Sequence, residues 1–107
     1  MLENLVKNAT DCDTNALADN AQIAQFLLGE LILYKKPFIT RDRATIALSW
    51  FLSWKKWCVV IVDKNEILLK SKNDDIENTG VYYNTMLAAD NLDKILHQIG
   101  AKNDNDT

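Results

Sequence analysis

The pattern of apolar residues changes character at Trp57. Before this position apolar residues recur at steps of three and four, the spacing of an amphipathic helix. The run WCVVIV that follows consists of aromatic and β-branched residues, which favour an extended strand. The turn residues DKN and a second strand, EILLKSK, come next, and in that strand Leu68, Lys70 and Lys72 share one face. A chain with both periods is neither all-helical nor all-β, so the sequence predicts an α+β fold.

Two helices are predicted ahead of this hairpin. The first is capped by Thr14 or Asn15 and runs to about Lys35, after which Pro37 breaks the helical pattern. The second takes Thr40 as its N-cap and ends in the double lysine of SWKKW, where positive charge complements the helix dipole.

After the hairpin the sequence predicts a polar loop, NDDIENTG, and a possible third strand, VYYNTML, for which a helical start is the alternative. A closing helix is then capped by Asp90 and stopped by Gly100. We therefore expect one small domain over residues 1–100 and a disordered tail over residues 101–107.

The totals describe an ordinary globular chain. Its 107 residues are 48% hydrophobic and 25% charged, with three glycines and one proline, so the chain can bury a core without metal or disulfide staples. Two cysteines and no basic-then-apolar leader indicate reduced thiols and predict a cytoplasmic protein. Every apolar run is shorter than the ~18 residues that a membrane-spanning helix requires, so no membrane partner is expected.

The net charge of −3 conceals a basic middle segment between two acidic ends. Residues 35–72 hold nine of the twelve basic residues and only three of the fifteen acidic ones. Such an asymmetry is a hint about binding partners, although ordinary solvated faces could produce it as well.

Catalytic and metal-binding patterns are weak. The stretch DCDTN looks like the start of an EF-hand loop, but Ala16 stands where the sharp turn requires glycine and Gln22 where a bidentate glutamate is needed. Two cysteines and His97 are too few and too scattered for zinc, and Cys58 lies among β-branched residues that favour an inert core thiol. The sequence predicts a protein that is not an enzyme and takes no metal, cofactor or small-molecule substrate.

The stretch ITRDRATIALSWFLSWKKWCVVIVDKNEILLKSK, residues 39–72, resembles the winged helix-turn-helix family of DNA-binding domains. Over residues 20–72 a helix, a turn, a second helix and then a β-hairpin follow each other in the order of that family. The resemblance implies a small winged-helix-like domain whose wing turns at DKN. It also implies a non-enzymatic DNA-binding protein, either a regulator or an accessory factor of a plasmid or phage.

Trp50 and Trp54 fall within this second predicted helix, and Trp57 follows directly after its end. At 100° per residue Trp50, Trp54, Trp57 and Ile46 form one stripe, while other apolar residues occupy a separate arc. Each indole buries on the order of 150–250 Å², so leaving the stripe exposed would forfeit several kcal/mol. We therefore expect the stripe to be a dimer interface, packed on the same helix of a second copy across a two-fold axis.

Double-stranded DNA would then be contacted by the basic side chains of the middle segment. The predicted contacts are Lys35, Lys36, Arg41, Arg43, Lys64, Lys70 and Lys72. Lysines on an exposed strand also protect a sheet edge against aggregation. The alternative function is a protein-binding inhibitor or immunity-type protein, for which small size, acidic ends and an apolar surface are equally suitable.

Overall fold

The computed structural model describes residues 2, 6, 7 and 9–103, and it consists of a helix, a five-stranded sheet and a second helix. The helices are α1 (Thr14–Glu30) and α2 (Thr85–Ile99). The strands are β1 (Phe38–Asp42), β2 (Thr45–Ser53), β3 (Lys56–Asp63), β4 (Glu66–Asn73) and β5 (Ile76–Tyr82). No helix in these described residues has the length and apolar character needed to cross a membrane.

The sheet is an antiparallel meander in which every strand pairs with its neighbours in the chain, in the order β1-β2-β3-β4-β5. Its four turns have two residues each, at residues 43–44, 54–55, 64–65 and 74–75. Positive φ angles occur in these turns at Arg43, Lys64, Asn65 and Asp74. Two-residue hairpins favour such angles because the backbone twist then matches that of the flanking strands. Non-glycine residues occupy all of these positions, which is why the turns are hard to recognise in the sequence.

The chain is α+β, but the winged-helix prediction is wrong. Residues 40–56, predicted as the second helix, form most of β1, all of β2 and the turn into β3. In β2 the buried positions are Ile46, Leu48 and Trp50, which alternate with less buried ones. Because every second residue is buried, one side of this segment packs on the core, as in a strand. A helix cannot bury alternate residues in this way.

The hairpin of β3 and β4 is confirmed, together with the common face of Leu68, Lys70 and Lys72. The predicted polar loop NDDIENTG is instead the turn at residues 74–75 followed by most of β5. Polar residues are tolerated there because β5 is an edge strand that packs little against the helices. Val81 and Tyr82 of the possible third strand complete β5.

The helix ends differ from the sequence prediction in detail. Helix α1 is capped by Asp13, whose carboxylate accepts hydrogen bonds from the next turn, and it ends at Glu30 rather than at residue 35. Helix α2 begins six residues earlier than predicted, because Asn84 and not Asp90 accepts the cap hydrogen bond. Gly100 adopts a left-handed conformation at its end, so the predicted stop is confirmed.

Both helices pack on one face of the sheet and form the core with it. Fully buried leucines of α1 and α2, such as Leu27 and Leu96, belong to one cluster with the inward side chains of β2, β3 and β4. Asn20 is also buried, and its side-chain amide donates to the carbonyl of Ala44 in the β1–β2 turn at 2.8 Å. This bond satisfies a buried polar group and fixes the turn against α1.

The chain after α2 returns to the segment between α1 and β1. Ala101 is buried and accepts a hydrogen bond from the amide of Lys35, and Lys102 forms a β-bridge with Tyr34. Residues 101–103 were assigned to the tail from the sequence and are packed in the structure. The rest of the predicted tail, residues 104–107, lies outside the described residues.

Candidate functional site

One face of the sheet is packed by the helices, and the other, which we call the open face, has no described element on it. The alternation along the strands sends every second side chain to this face. Its principal residues are Phe38, Ala47, Ser49, Phe51, Trp57, Val59, Ile61, Asp63, Glu66, Leu68, Lys70, Lys72, Glu77, Thr79 and Val81. The half-buried apolar members of β2–β4 are not part of the core cluster or packed against it.

An uninterrupted apolar row crosses four strands of the open face. The cross-strand register pairs Ala47 with Ile61, Ile61 with Leu68, and Leu68 with Val81. Their neighbour Val59 extends the apolar area along β3. An antiparallel sheet that simply faces water usually alternates to polar residues on that side. The apolar row therefore distinguishes this face from an ordinary solvated one.

Four aromatic side chains lie at one end of the open face and are called the aromatic corner: Phe38, Phe51, Trp54 and Trp57. Phe51 and Trp54 stack edge to face with ring centroids 5.3 Å apart. They are nevertheless 60% and 83% exposed, and Phe38 is 72% exposed. Aromatic side chains are enriched among the residues that dominate the binding energy of protein interfaces.

The charges of the open face are separated along the strands. Lys70 and Lys72 lie in the half that contains the aromatic corner, and Lys72 forms a 3.7 Å ion pair with Glu77. At the other end, which we call the acidic end, Asp63 and Glu66 are directly opposed across the β3–β4 hairpin. The half with the aromatic corner thus holds two lysines and Glu77, the other half holds Asp63 and Glu66, and the apolar row lies between the lysines and these two carboxylates.

The seven predicted DNA contacts do not form one surface. Lys70 and Lys72 lie on the open face, whereas Lys64 and Arg43 lie in turns at the opposite end of the sheet. Eight residues of strand separate those ends by roughly 25 Å. Lys35 and Lys36 belong to the connection between α1 and β1, which brings them near the aromatic corner rather than the turns.

Arg41 is engaged within the protein. Its guanidinium donates to the carboxylate of Asp11 at 2.8 Å and to the carbonyl of Arg43 at 2.7 Å. The hydrogen bond to Asp11 raises the pKa of Arg41, and the same bond lowers the pKa of Asp11. Arg41 therefore ties the segment before α1 to the β1–β2 turn.

The four predicted interface residues are divided between environments. Ile46 is fully buried, and Trp50 is only 3% exposed with its indole N–H donating to the carbonyl of Lys35 at 2.6 Å. Trp54 is in a turn, and Trp57 is half-buried on the open face. The single helical stripe predicted from the sequence does not exist, because these residues lie in strands and a turn. Trp54 and Trp57 alone are on the outer surface.

Reactive side chains of the core are enclosed. Burial raises the pKa of the Cys58 thiol to about 12, and burial together with the hydrogen bond to Asp93 raises the pKa of Tyr34 to about 12. No three His, Cys, Asp or Glu residues among those described lie close enough together to hold a metal ion. A groove of about 290 Å³ between α1 and β1 has mainly apolar walls, and the polar atoms of Tyr34 and Trp50 at its edge are already hydrogen-bonded.

The open face was missed in the sequence because β1, β2 and most of β5 were not recognised as strands. One signal was available, namely dipeptides with at least one charged residue at intervals of ten or eleven residues, RA, WK, KN and DD. Regular turn spacing of this kind indicates an antiparallel meander.

No family model, no curated protein and no solved structure matches this chain. The elements described above define its class as α+β with a five-stranded meander, and the open face is the feature that bears on function.

Proposed function

We propose that this chain is a non-enzymatic protein-binding protein whose open face docks on the surface of a protein. The observation that carries the proposal is the apolar row flanked by the aromatic corner on a sheet face that no described element covers. An apolar centre with exposed aromatic side chains at its margin has the composition of a protein interface core. Of the two functions considered from the sequence, this supports the protein-binding inhibitor or immunity-type protein.

The charges favour a protein over duplex DNA as the partner. The open face combines Lys70 and Lys72 with the carboxylates of Asp63, Glu66 and Glu77, so it is not a basic surface. A duplex has a uniform line of phosphates and would be repelled by the acidic end. A fitting partner has an apolar centre, acidic groups opposite the two lysines and basic groups opposite the acidic end. DNA binding stays a prediction, and its structural basis in a winged helix is gone.

On this proposal the protein acts by covering part of its partner's surface and catalyses no reaction. The state of Cys58 supports this, since a buried thiol with a raised pKa is a poor nucleophile. Both cysteines are free thiols, which is consistent with a reducing compartment, and we include a cytoplasmic location in the proposal.

Site-specific photo-crosslinking in the native cells tests the proposal. A benzophenone amino acid replaces Ile61 on the open face or, as a matched control, the exposed Gln25 of α1. We expect protein adducts from position 61 that are absent from position 25 and are lost when Leu68→Glu is introduced into the same chain. Nucleic-acid adducts from position 61 would support DNA binding instead. Equal adducts from both positions, or none from position 61, would contradict docking through the open face.

A further inference from the structure

We infer that the surface fitting the open face is the open face of a second copy, related by a two-fold axis that lies between the sheets and runs across the strands. This inference rests on the proposed function and names its partner. The opposite net charge of the two halves carries it: Lys70 and Lys72 outnumber Glu77 in one half, and Asp63 and Glu66 make the other negative, so the face can complement itself when one copy is reversed along the strands.

The register of the sheet determines what such an axis brings together. Along β3 the open face presents Trp57, Val59, Ile61 and Asp63, and along β4 it presents Lys72, Lys70, Leu68 and Glu66. Rotation about an axis across the strands keeps each strand over its own counterpart and reverses its direction. Val59 then faces Ile61 of the second copy, and Lys72 faces Glu66 of the second copy. Val59 and Ile61 thus meet at the centre and Lys72 meets Glu66 toward both ends, while Lys70 faces Leu68 and Trp57 faces Asp63 of the second copy.

The other face-to-face arrangement is disfavoured by charge. An axis parallel to the strands places each residue of the central β3 over itself, so Asp63 meets Asp63 of the second copy. Two carboxylates brought together in a partly desolvated interface repel each other without compensation. Lys72 would then face Phe51 of the second copy instead of a carboxylate. The register therefore selects the axis across the strands.

Packed sheets usually have their strand directions offset by about 30°. Such an offset still allows Lys72 to pair with Glu66 of the second copy. Lys72 and Glu66 lie roughly 10 Å from the centre of the face along β4, so this rotation moves them apart by about 5 Å. The flexible stem of a lysine spans a displacement of that size.

The size of the face sets the expected affinity. Five strands spaced by about 4.8 Å and four rows of side chains give a face of roughly 24 by 20 Å, which corresponds to about 1,000 Å² buried by the two copies together. This is the lower limit for a specific interface, so we expect a dissociation constant on the order of 1–100 μM. Sedimentation velocity over ~1–500 μM protein should show a reversible monomer–dimer equilibrium.

A charge exchange between the two copies tests the geometry. Lys72→Glu places a glutamate opposite Glu66 of the second copy, and Glu66→Lys places a lysine opposite Lys72. Each variant alone should dimerise at least about tenfold more weakly than the wild type. An equimolar mixture of the two variants should recover affinity to within about threefold of the wild type, because each facing pair is again of opposite sign. The exposed Asp90→Lys of α2 is the control and should leave the dimer unchanged.

The mixture separates the interface from effects within one copy. The ion pair between Lys72 and Glu77 lies within one copy and is lost in every Lys72→Glu chain, whether that chain is alone or mixed, so recovery on mixing reports contacts between copies. Ile61→Lys, at the centre of the face and away from these charges, should also give a monomer, with circular dichroism confirming the fold. A wild type that is monomeric up to ~500 μM would refute the inference, as would a dimer insensitive to Ile61→Lys or a mixture that does not recover. Adducts from position 61 to a different protein would in that case leave the proposed function intact.

Discussion

Trp50 and Trp54 are four residues apart, and the structure predicts opposite consequences for their replacement. Trp50 is 3% exposed and donates a hydrogen bond to the carbonyl of Lys35, whereas Trp54 is 83% exposed in a turn. Trp50→Phe removes that hydrogen bond, worth about 1 kcal/mol. It also removes roughly 50 Å² of buried apolar surface, worth about 1 kcal/mol, and leaves a small cavity. We expect the free energy of unfolding to fall by about 2–3 kcal/mol.

The corresponding Trp54→Phe change should alter the free energy of unfolding by less than about 0.5 kcal/mol, since it leaves the core untouched. Urea denaturation followed by far-ultraviolet circular dichroism measures both. With an unfolding slope of about 1.5 kcal/mol per molar urea, the midpoint of Trp50→Phe should lie between 1 and 2 M below that of the wild type, within the usual range for small domains. Equal losses in the two variants would mean that both indoles share one environment, as the helical stripe required, and would refute the strand assignment.

Three further outcomes follow from conformation and burial. Burial and a neighbouring carboxylate raise the pKa of Tyr34 from 10.0 to about 12, so the unfolded chain loses this phenol proton first and stability falls as pH rises through that interval. In Tyr34→Phe the free energy of unfolding should therefore decline less steeply between pH 10 and 12 than in the wild type. Parallel curves for the two proteins would contradict the raised pKa. Gly100→Ala should lower the free energy of unfolding by about 1 kcal/mol because φ is +78° there, whereas Gly29→Ala in the helical backbone of α1 should raise it by about 0.5 kcal/mol. Thermal unfolding measures both changes, and changes of the same sign would be inconsistent with the left-handed conformation at Gly100 and the helical one at Gly29. In native protein Ellman's reagent should modify Cys12 within minutes and Cys58 only after denaturant is added, and rapid modification of both thiols would exclude a sealed core.

Local chemistry was enough to predict the elements whose apolar period is unambiguous. The β3–β4 hairpin was found from its β-branched run and the residues DKN, and Gly100 was found as the stop of α2. The α+β class follows from these elements alone.

The segment from Thr40 to Lys56 shows why the rest was missed. The apolar residues of β2 occur on both faces of the strand, because Phe51 belongs to the aromatic corner and Leu48 to the core. A sequence that is apolar at consecutive positions satisfies a helical stripe as well as a strand, and no glycine or proline marks its turns. The sheet pairing decides between them, and pairing is a property of distant residues.

The candidate site could be predicted only in fragments. The shared face of Lys70 and Lys72 was recognised. The carboxylates that balance these lysines are Asp63 and Glu66, beside the β3–β4 turn, and Glu77 on β5. Charge counted along the chain suggested a basic segment, whereas charge counted across the strands gives a mixed face. The partner preference therefore depends on the register, which the sequence alone does not show.

The meander also has a consequence for biosynthesis. All five strands pair only with their chain neighbours, so the sheet can assemble hairpin by hairpin as the polypeptide leaves the ribosome and is complete at Tyr82. The helix that packs on β3 and β4 spans residues 85–99 and arrives about 1–3 s later at ordinary translation speed. During that interval α1 alone covers the inner face of the nascent sheet, so the part of that face over β4 is exposed, and a chaperone would matter most while residues 83–99 are translated.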